Sequence, residues 1–459
     1  MRPTRCIAIL AVIFVVSLPA VTARIYATDE IQYFSYLRSL WFDRDVSFEN
    51  EYRHFVDTGP GTAPGFFETY LELRTETGKR INYGTIGSAI LWAPFYGVAD
   101  LWVIAARSAG SGVARDGFSQ PYVTAVAYAS AVYGFAALVL SFIAALRITG
   151  ARPERALIAT IAIWLGTPLL FYMYLGPAFG HATSAFSVAL FVNTWLTVRR
   201  AWTVQGMIAL AASGALMVMV REQDASYLIG PAIDFGWRQL RAPRPALVRA
   251  SVAAALAVLA FAVVFVPQAL AYRSLNGYVG PSRLVTRKMY WFSPHALQIL
   301  FSPEHGFVFW TPLAILAIVG LGIALARLWR AEAAQALVLS VAAMFVSQIY
   351  LLGALDSWTS AGAFGQRRFV GATVFLVIGL TALFDAASAP WHRRVLTLVV
   401  ALAIYWNLAM MAMFGIELMS RQRLELRRNA YDAFITIPRL APSLAYRYFV
   451  DRRSFYRQP

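Results

Sequence analysis

Long apolar runs recur along the whole chain and constrain its fold more than any other feature. A helix needs about 20 apolar residues to cross the hydrocarbon core of a bilayer. Backbone polar groups within lipid must be satisfied inside the segment, which a helix achieves and an open strand does not. The sequence therefore predicts an all-α polytopic membrane protein with about 11 transmembrane helices. The predicted spans are residues 6–23, 122–146, 157–178, 182–198, 205–220, 225–237, 251–272, 306–326, 333–353, 369–387 and 395–415.

Composition supports a membrane protein and argues against nucleic acid as a partner. Hydrophobic residues make up 59% of the 459 residues and charged residues 14%, whereas about a quarter of the residues of a soluble domain are charged. The net charge of +16 comes from 40 basic and 24 acidic residues. Many of the basic residues lie in short loops between spans, where positive charge marks the cytoplasmic side. Cys6 is the only cysteine, which excludes an intrachain disulfide and a thiolate metal cluster.

The basic loops also assign a side of the membrane to each span. Residues 1–23 are either a cleaved signal peptide or the first span, and both place Asp29 on the outer side. With a cytoplasmic N-terminus, the basic loops alternate correctly only if the apolar segment 84–107 does not cross. Pro94 and Gly97 favour an interfacial or re-entrant segment there. The alternative is a full span at 84–107, which inverts every later loop.

This topology predicts a multi-pass protein of the bacterial inner membrane with its active site on the outer face. Residues 1–415 form the membrane-embedded domain, and its first outer loop is 24–83. The C-terminal tail, 416–459, also falls outside, although it is basic and therefore opposes the charge bias. Either the last crossing differs from this topology, or the tail lies on anionic lipid headgroups.

An acidic pair, Asp29 and Glu30, directly follows the first apolar run. Carboxylates held beside lipid are costly, so they mark a functional site unless they are simply the first solvated residues beyond the bilayer. An aromatic apolar face follows at helical spacing, formed by Tyr33, Tyr36, Leu37, Leu40 and Trp41. This spacing predicts a short amphipathic helix, which lies in the interface plane or packs on neighbouring protein.

The outer segments also carry cations that are suited to a lipid-linked phosphate. Arginine and lysine stabilise phosphate groups as negative charge develops on them, although each such residue can also snorkel to the headgroups. The candidate cations are Lys79, Arg80, Arg221, Arg283, Arg287, Lys288, Arg367 and Arg368. His181 and the pair Glu304 and His305 are candidates for binding phosphate, sugar or a metal, or for helix capping. No ligand set has metal spacing, so the metal dependence is left open.

Four stretches in order along the chain carry a family resemblance. They are the acidic pair with its Tyr-rich amphipathic segment, and residues 79–87, 301–312 and 358–369. This order resembles the polyprenyl-phosphate-dependent glycosyltransferases of the C-type (GT-C) membrane fold, which include the protein O-mannosyltransferases and the aminoarabinose transferase of lipid A. The resemblance extends over roughly residues 1–415.

The resemblance implies a role for several residues. Asp29 would be the catalytic base toward the acceptor, Glu30 would support it, and Lys79 or Arg80 would contact the donor phosphate. The donor would be a polyprenyl-phosphate sugar, and the acceptor an unidentified glycan, lipid or protein. The chain departs from the family at 83–84, where Tyr and Gly replace a Pro-Pro, and at 176–181, which lacks a second acid that many members have.

Three other functions stay open at this stage. A transporter or flippase of lipid-linked glycans would also place polar groups inside a helical bundle, although it would often show internal repeats. A ligase that moves whole glycans would share the outer-face site. A non-catalytic subunit of envelope assembly would need none of this chemistry. We expect an inverting membrane glycosyltransferase because the polar residues gather on one face of the membrane.

Overall fold

The computed structural model is helical in all its regular elements. It describes residues 1–241 and 243–455, apart from the side chains of 244–247 and 453. No strand occurs in these ranges, and an isolated bridge joins Arg74 to Arg80. The α-helices are α1 (Pro3–Ser17), α2 (Thr28–Arg38), α3 (Glu49–Asp57), α4 (Gly87–Ser108), α5 (Gln120–Thr149), α6 (Pro153–Gly166), α7 (Leu169–Tyr174), α8 (His181–Val198), α9 (Val204–Val220), α10 (Ile229–Gln239), α11 (Arg244–Asn276), α12 (Arg283–Thr286), α13 (Ala296–Phe301), α14 (Phe307–Trp310), α15 (Leu313–Trp329), α16 (Gln335–Gly353), α17 (Thr373–Ala386), α18 (Pro390–Gly415), α19 (Leu426–Tyr431) and α20 (Ile437–Val450).

Seven helices within the described residues are long and apolar enough to cross a membrane. This confirms the expectation of an α-helical, multi-pass membrane protein. The seven segments are Pro3–Ala20, Gly87–Ser108, Gln120–Thr149, Val248–Asn276, Glu332–Gly353, Arg367–Ala386 and Pro390–Gly415. Two shorter apolar helices, α9 and α15, correspond to two further predicted spans.

The predicted number of about 11 spans is not confirmed. The predicted span 157–178 is divided between α6 and α7, because Thr167 is extended before Pro168, a residue that disfavours helix in its predecessor. The predicted span 225–237 consists of a 3₁₀ segment followed by the 11-residue α10. The predicted span 182–198 matches α8, which has 18 residues but is not among the seven segments.

The segment expected to be broken at 84–107 contains a continuous helix, α4, of 22 residues. Pro94 lies inside this helix without interrupting it, and so does Gly97. A re-entrant hairpin needs a break in the helix, and α4 has none. The prediction of a re-entrant segment at 84–107 therefore does not match the backbone. A helix that lies in the interface and a helix that crosses both remain compatible with its length.

The chain divides into two compact units. The first comprises Met1–Val21, Phe135–Phe171 and Tyr290–Pro459, and the second Thr22–Gly134 and Tyr172–Met289. In the first unit, α17 is almost wholly buried and its backbone touches that of α15. A Cβ atom on Gly379 would overlap the Ala317 carbonyl oxygen, and one on Gly320 would overlap the Gly379 carbonyl oxygen. Glycine at both positions therefore permits the close approach that membrane helices use to pack.

The basic tail of the first unit packs against the end of the first apolar helix. The Tyr448 hydroxyl donates to the Ala20 carbonyl at 2.6 Å, and Arg452 donates to the carbonyls of Val21 at 2.7 Å and Pro19 at 2.6 Å. Carbonyls at a helix C-terminus lack intrahelical partners, and cations there are favourable. The tail therefore lies on the side of the membrane where α1 ends. Residues 456–459 of the predicted tail lie outside the described residues.

The contact between α15 and α17 makes Gly379 a test of packing. We expect Gly379→Ala to destabilise the protein by about 1–3 kcal/mol, because the added methyl group must push two backbones apart. Thermal unfolding of the purified protein in detergent measures the effect. Gly322→Ala is the matched control, since a Cβ at Gly322 in α15 meets no atom within 4 Å. Equal melting temperatures for the two variants would contradict this account of the packing.

Candidate functional site

The acidic pair lies in the first turn of α2, in the second unit, where its two members have different surroundings. Glu30 is fully buried. Its Oε2 accepts hydrogen bonds from the backbone amides of Tyr26 at 3.0 Å and Ala27 at 3.2 Å, amides that a helix start leaves without partners. Burial raises the pKa of Glu30 to about 8, although these backbone bonds oppose the shift. Glu30 is therefore a protonated helix cap at neutral pH.

Asp29 differs from Glu30 because it is only partly buried. It lies at the helix N-terminus, where backbone dipoles favour a negative charge. Its charge is the second cause, after burial, that raises the pKa of Tyr70, so the carboxylate lies near that phenol. The Tyr70 ring in turn meets the Tyr83 ring edge-on at 6.2 Å. Asp29 is therefore the accessible carboxylate of the pair, bordered by aromatic side chains.

The stretch 79–87 is fastened to α2 by hydrogen bonds. Asn82 donates to the Gln32 carbonyl at 3.0 Å, and the Tyr83 amide donates to the Gln32 side-chain oxygen at 2.8 Å. A Cβ at Gly84 would lie 3.5 Å from the Tyr33 ring, which is ordinary contact. This stretch therefore follows the same helix that carries Asp29.

The turn before α8 also lies beside the Tyr33 ring. A Cβ at Gly180 would lie 3.4 Å from that ring, and Gly180 has a φ of +73°, which favours glycine. The Phe179 ring lies 6.3 Å from the Tyr26 ring and 6.0 Å from the imidazole of His181. The structure thus brings His181 into the surroundings of α2.

His181 and Arg221 form a buried pair at adjoining helix ends. Arg221 follows the last residue of α9 and donates through Nη1 to Nδ1 of His181, the first residue of α8. Because a guanidinium only donates, Nδ1 of His181 accepts and the ring proton lies on Nε2. The Tyr172 ring covers the imidazole at 4.4 Å between centroids. His181 is therefore a hydrogen-bond partner of the buried Arg221 guanidinium.

Two acids next to Arg221 complete this region. Burial raises the pKa of Asp224 to about 6, although Arg221 and the Ser184 hydroxyl, which donates at 2.7 Å, oppose the shift. Burial also raises the pKa of Glu222, which accepts a hydrogen bond from Tyr272 of α11. No group of three His, Cys, Asp or Glu side chains suited to a metal occurs in the part of the chain that the structure describes.

The charge of Glu222 also acts on Tyr36 of α2. The sequence analysis did not predict this interaction. After burial, the charge of Glu222 is the next cause of the raised pKa of Tyr36, a fully buried residue of α2. The sequence showed Glu222 beside Arg221. It gave no signal for Tyr272, because that partner is 50 residues away inside an apolar run.

The structure gives Arg80 a structural partner instead of leaving it available to phosphate. Its side chain is 6% exposed, and Nε donates to Oε2 of Glu49 at 3.1 Å. Hydrogen bonds from Arg80 and then Arg53 lower the pKa of Glu49 to about 2. Glu49 therefore offsets the charge of Arg80, and the contact of Arg80 with the donor phosphate stays a prediction. Lys79 donates to the Ser274 hydroxyl of α11, and its phosphate role stays a prediction.

The remaining candidate cations of the second unit, Arg283, Arg287 and Lys288, lie in an exposed segment after α11. Arg283 pairs with Glu76 at 3.0 Å and covers the Tyr278 ring at 5.0 Å. Arg287 and Lys288 are exposed, and neither side chain forms a hydrogen bond or ion pair with another described residue. These two cations are available to an anionic ligand or headgroup.

In the first unit, the stretches 301–312 and 358–369 pack on each other through His305. His305 is buried, its Nε2 donates to the Ala363 carbonyl at 2.9 Å, and its ring stacks on Trp310 at 4.5 Å. Burial lowers its pKa to about 4. His305 is therefore a neutral packing residue, whereas its neighbour Glu304 is exposed.

The two arginines of the late outer loop also differ. Arg368 is buried and donates to the carbonyl and the hydroxyl of Ser357. Gln366 joins the two stretches by donating to the carbonyls of His305 at 3.1 Å and Trp358 at 2.9 Å. Arg367 is only partly buried. Arg368 therefore holds its own loop in shape, and a phosphate contact from Arg367 stays a prediction.

Comparison with protein-family models, with curated proteins and with solved structures finds no match for this chain. The site is therefore interpreted from its own geometry and from the resemblance carried by its motifs.

The buried cap predicts how stability depends on pH. Glu30 has a higher pKa in the folded protein than in the unfolded chain, so the folded state binds the extra proton between about pH 4.5 and pH 8, and wild-type stability falls as pH rises through that range. Glu30→Gln keeps an acceptor for the cap and cannot ionise. We expect the variant to gain thermal stability relative to wild type at pH 9 but not at pH 5.

Melting temperatures of both proteins across this pH range measure the difference. Asp57→Asn, at an exposed position of α3, is the control for loss of a carboxylate. A constant difference between Glu30→Gln and wild type at every pH would show that Glu30 is not buried as a neutral acid.

Proposed function

We propose that this protein is an inverting membrane glycosyltransferase that moves a sugar from a polyprenyl-phosphate carrier to an acceptor hydroxyl on the outer face. One observation carries the proposal: the acidic pair divides into a buried cap, Glu30, and an accessible carboxylate, Asp29, at the start of α2. The cap fixes the backbone from which Asp29 projects. A positioned and accessible carboxylate is what general base catalysis needs.

The proposed reaction is a single displacement at the anomeric carbon. Asp29 accepts the proton of the acceptor hydroxyl. At the same time the oxygen of that hydroxyl forms the new bond to the anomeric carbon. The bond from that carbon to the phosphate oxygen breaks, and the electron pair leaves with the polyprenyl phosphate. Attack opposite the leaving group inverts the anomeric configuration. The accessible Asp29 is the base in this scheme, and Glu30 supports it through the backbone.

Arg221 and His181 are the best-placed groups for the leaving phosphate. A leaving phosphate is stabilised by cations and N–H donors already oriented toward the developing charge. The Nε2 proton of His181 and the guanidinium of Arg221 supply both, and ring contacts through Phe179 and Tyr26 connect them to the start of α2. Arg80 is less suited because Glu49 neutralises it.

The base assignment predicts a large loss of activity in Asp29→Asn. Asparagine keeps the shape but cannot take the proton, so we expect transfer to fall by about 10²–10⁴-fold. The protein is reconstituted with polyprenyl-phosphate hexoses and pentoses and with envelope extract as acceptor. Release of free polyprenyl phosphate is followed by mass spectrometry.

Asp57→Asn is the matched control for this variant. Asp57 is exposed on the same outer segment, whereas Asp43 accepts hydrogen bonds from Arg38 and Asn50 and would disturb packing. Wild-type release of polyprenyl phosphate by Asp29→Asn would overturn the base assignment. Movement of the intact sugar lipid across the bilayer without release would favour the flippase alternative.

The phosphate assignment predicts a difference between two arginines. Removal of a charge-assisted hydrogen bond costs about 1.5–3 kcal/mol, so Arg221→Gln should raise the KM for the donor about 10- to 100-fold. The exposed Arg107, in the last turn of α4, is the comparison, because Arg107→Gln removes the same charge at a position that is not a candidate phosphate contact. Both variants are assayed at matched protein levels, with melting temperatures as a check on folding. An equal KM for Arg221→Gln and wild type would exclude the contact.

A further inference from the structure

The start of α4 lies level with the ends of two neighbouring helices in the second unit. The Thr85 hydroxyl donates to the carbonyl of Val220, the last residue of α9, at 2.8 Å. A Cβ on Gly87 would overlap the backbone of Met219 and Val220. The Ser88 hydroxyl lies 2.9 Å from the hydroxyl of Thr183, in the first turn of α8. The first turn of α4 is therefore held at the point where α9 ends and α8 begins.

The second half of α4 is held at the start of another helix. Tyr122, in the first turn of α5, donates to Oδ1 of Asp100 at 2.7 Å. The Tyr96 hydroxyl donates to the carbonyl of Gly117, just before α5, at 2.7 Å. Arg115, in the same connection, donates to both Asp100 oxygens at 2.9 and 2.8 Å. Residues 96–100 of α4 are thus level with the beginning of α5.

Further contacts place all these helix ends on one side of the membrane. The Gln120 side chain, at the start of α5, donates to the Ala23 carbonyl at 3.0 Å. The Thr22 amide donates to the carbonyl of Tyr174, the last residue of α7, at 2.7 Å. Only the short turn 175–180 separates Tyr174 from α8, and Arg221 binds His181 there. The surface reached by the chain after α1 therefore contains both points that hold α4.

This arrangement is incompatible with a crossing by α4. Gly87 and Asp100 are 13 positions apart in one helix, which corresponds to about 20 Å along its axis. In a helix normal to the bilayer, Asp100 would therefore lie about two thirds of the way through the hydrocarbon core, which is about 30 Å thick. Its partner Tyr122 instead belongs to the first turn of α5. We infer that α4 lies in the plane of the membrane and rests on the acyl chains of the outer leaflet.

The exposed face of α4 has the composition that this position requires. Val98 and Leu101 are each 68% exposed and Trp102 is 56% exposed. Leu40 and Trp41, just beyond α2, continue this surface, because a Cβ at Gly97 would lie 2.9 Å from the Trp41 ring. We call these five residues the interfacial platform. Lipid is the occupant because the platform lies level with helix ends, where tryptophan and amphipathic helices insert about 5–10 Å into the interface.

The opposite face of α4 is polar where it meets protein. Asp100 is 5% exposed, and its carboxylate is shared among Arg115, Tyr122 and the indole N–H of Trp41 at 3.3 Å. A buried carboxylate is tolerated when its oxygens are paired in this way. This network sets the rotation of α4 about its axis, so that Leu101 faces lipid. Trp41 forms part of the interfacial platform and also donates to Asp100. It therefore joins the segment after α2 to α4.

Labelling of single cysteines tests the position of α4 directly. Cys6 is the only cysteine and is buried, so Cys6→Ser provides the background. Ser111→Cys lies beyond the far end of α4, Thr58→Cys lies in the first outer loop, and Ser388→Cys lies in a predicted inner loop. All three positions are exposed. We expect a membrane-impermeant maleimide to label Ser111→Cys and Thr58→Cys from the same side of intact cells.

The comparison between Ser111→Cys and Thr58→Cys shows whether α4 crosses the membrane, whichever way the protein is oriented in it. If Ser111→Cys and Thr58→Cys label from opposite sides, so that only one of them labels before permeabilisation, α4 crosses the membrane and the inference is wrong. Labelling of all three variants before permeabilisation would indicate leaky cells, and the experiment is then repeated in sealed proteoliposomes with the same criterion.

A depth measurement tests the lipid contact separately. A bimane fluorophore on Val98→Cys, in nanodiscs, should be quenched more strongly by lipids brominated near the glycerol end of the chain than by lipids brominated at its terminus. The same fluorophore on Ser111→Cys should be quenched by aqueous iodide and not by either lipid. Quenching of Val98→Cys by iodide alone would mean that the platform faces water, and resistance to all three quenchers would mean that protein covers it.

Discussion

The hydrogen bonds that close the N-terminus of α2 are the interaction on which the candidate site depends. Two backbone amides without helical partners bind Oε2 of Glu30, inside protein and away from water. Burial disfavours the charged carboxylate, so Glu30 stays protonated at neutral pH. The neighbouring Asp29 keeps access to solvent. If the cap were lost, the first turn of α2 would fray and Asp29 would lose its fixed orientation toward an acceptor.

The same helix collects its surroundings from distant parts of the second unit. Gln32 binds the stretch 79–87, the Tyr33 ring lies beside Gly84 and Gly180, and the charge of Glu222 contributes to the raised pKa of Tyr36. Residues 32, 33 and 36 are neighbours on one side of this short helix, because positions three and four apart lie on the same helix face. The convergence brings segments that lie far apart in the chain to one short helix.

The sequence was sufficient to predict an α-helical membrane protein, because span length and apolar composition follow directly from bilayer thickness. It was insufficient for the number of spans. Pro168 divides the apolar run 157–178, which was predicted as one span, and the predicted span 225–237 begins in a 3₁₀ segment that leaves only an 11-residue helix. It was also insufficient to distinguish the two members of the acidic pair, since adjacent carboxylates differ only in which one points into the protein. The partners of Glu222 and Arg80 lie 50 and 31 residues away, a distance over which no local pattern extends.

Basic residues on the outer side of a membrane protein oppose the usual charge bias, and several of those that the sequence predicts to lie there have partners inside the protein. Arg80 neutralises Glu49, Arg368 holds its own loop, and Arg452 caps carbonyls at the end of α1. These residues are fixed by partners inside the protein and would keep their positions without any ligand.

Arg221 is a different case, because its hydrogen-bond partners are the neutral side chains of His181 and Gln223, and burial raises the pKa of the nearby Asp224 to about 6. A buried cation that lacks a full counter-charge is costly unless an anion completes the site. Among the candidate cations of the second unit, Arg221 is thus the one that best fits the proposed role of binding a substrate phosphate. On the proposed function, the reaction would take place between α2 and the junction of α8 with α9.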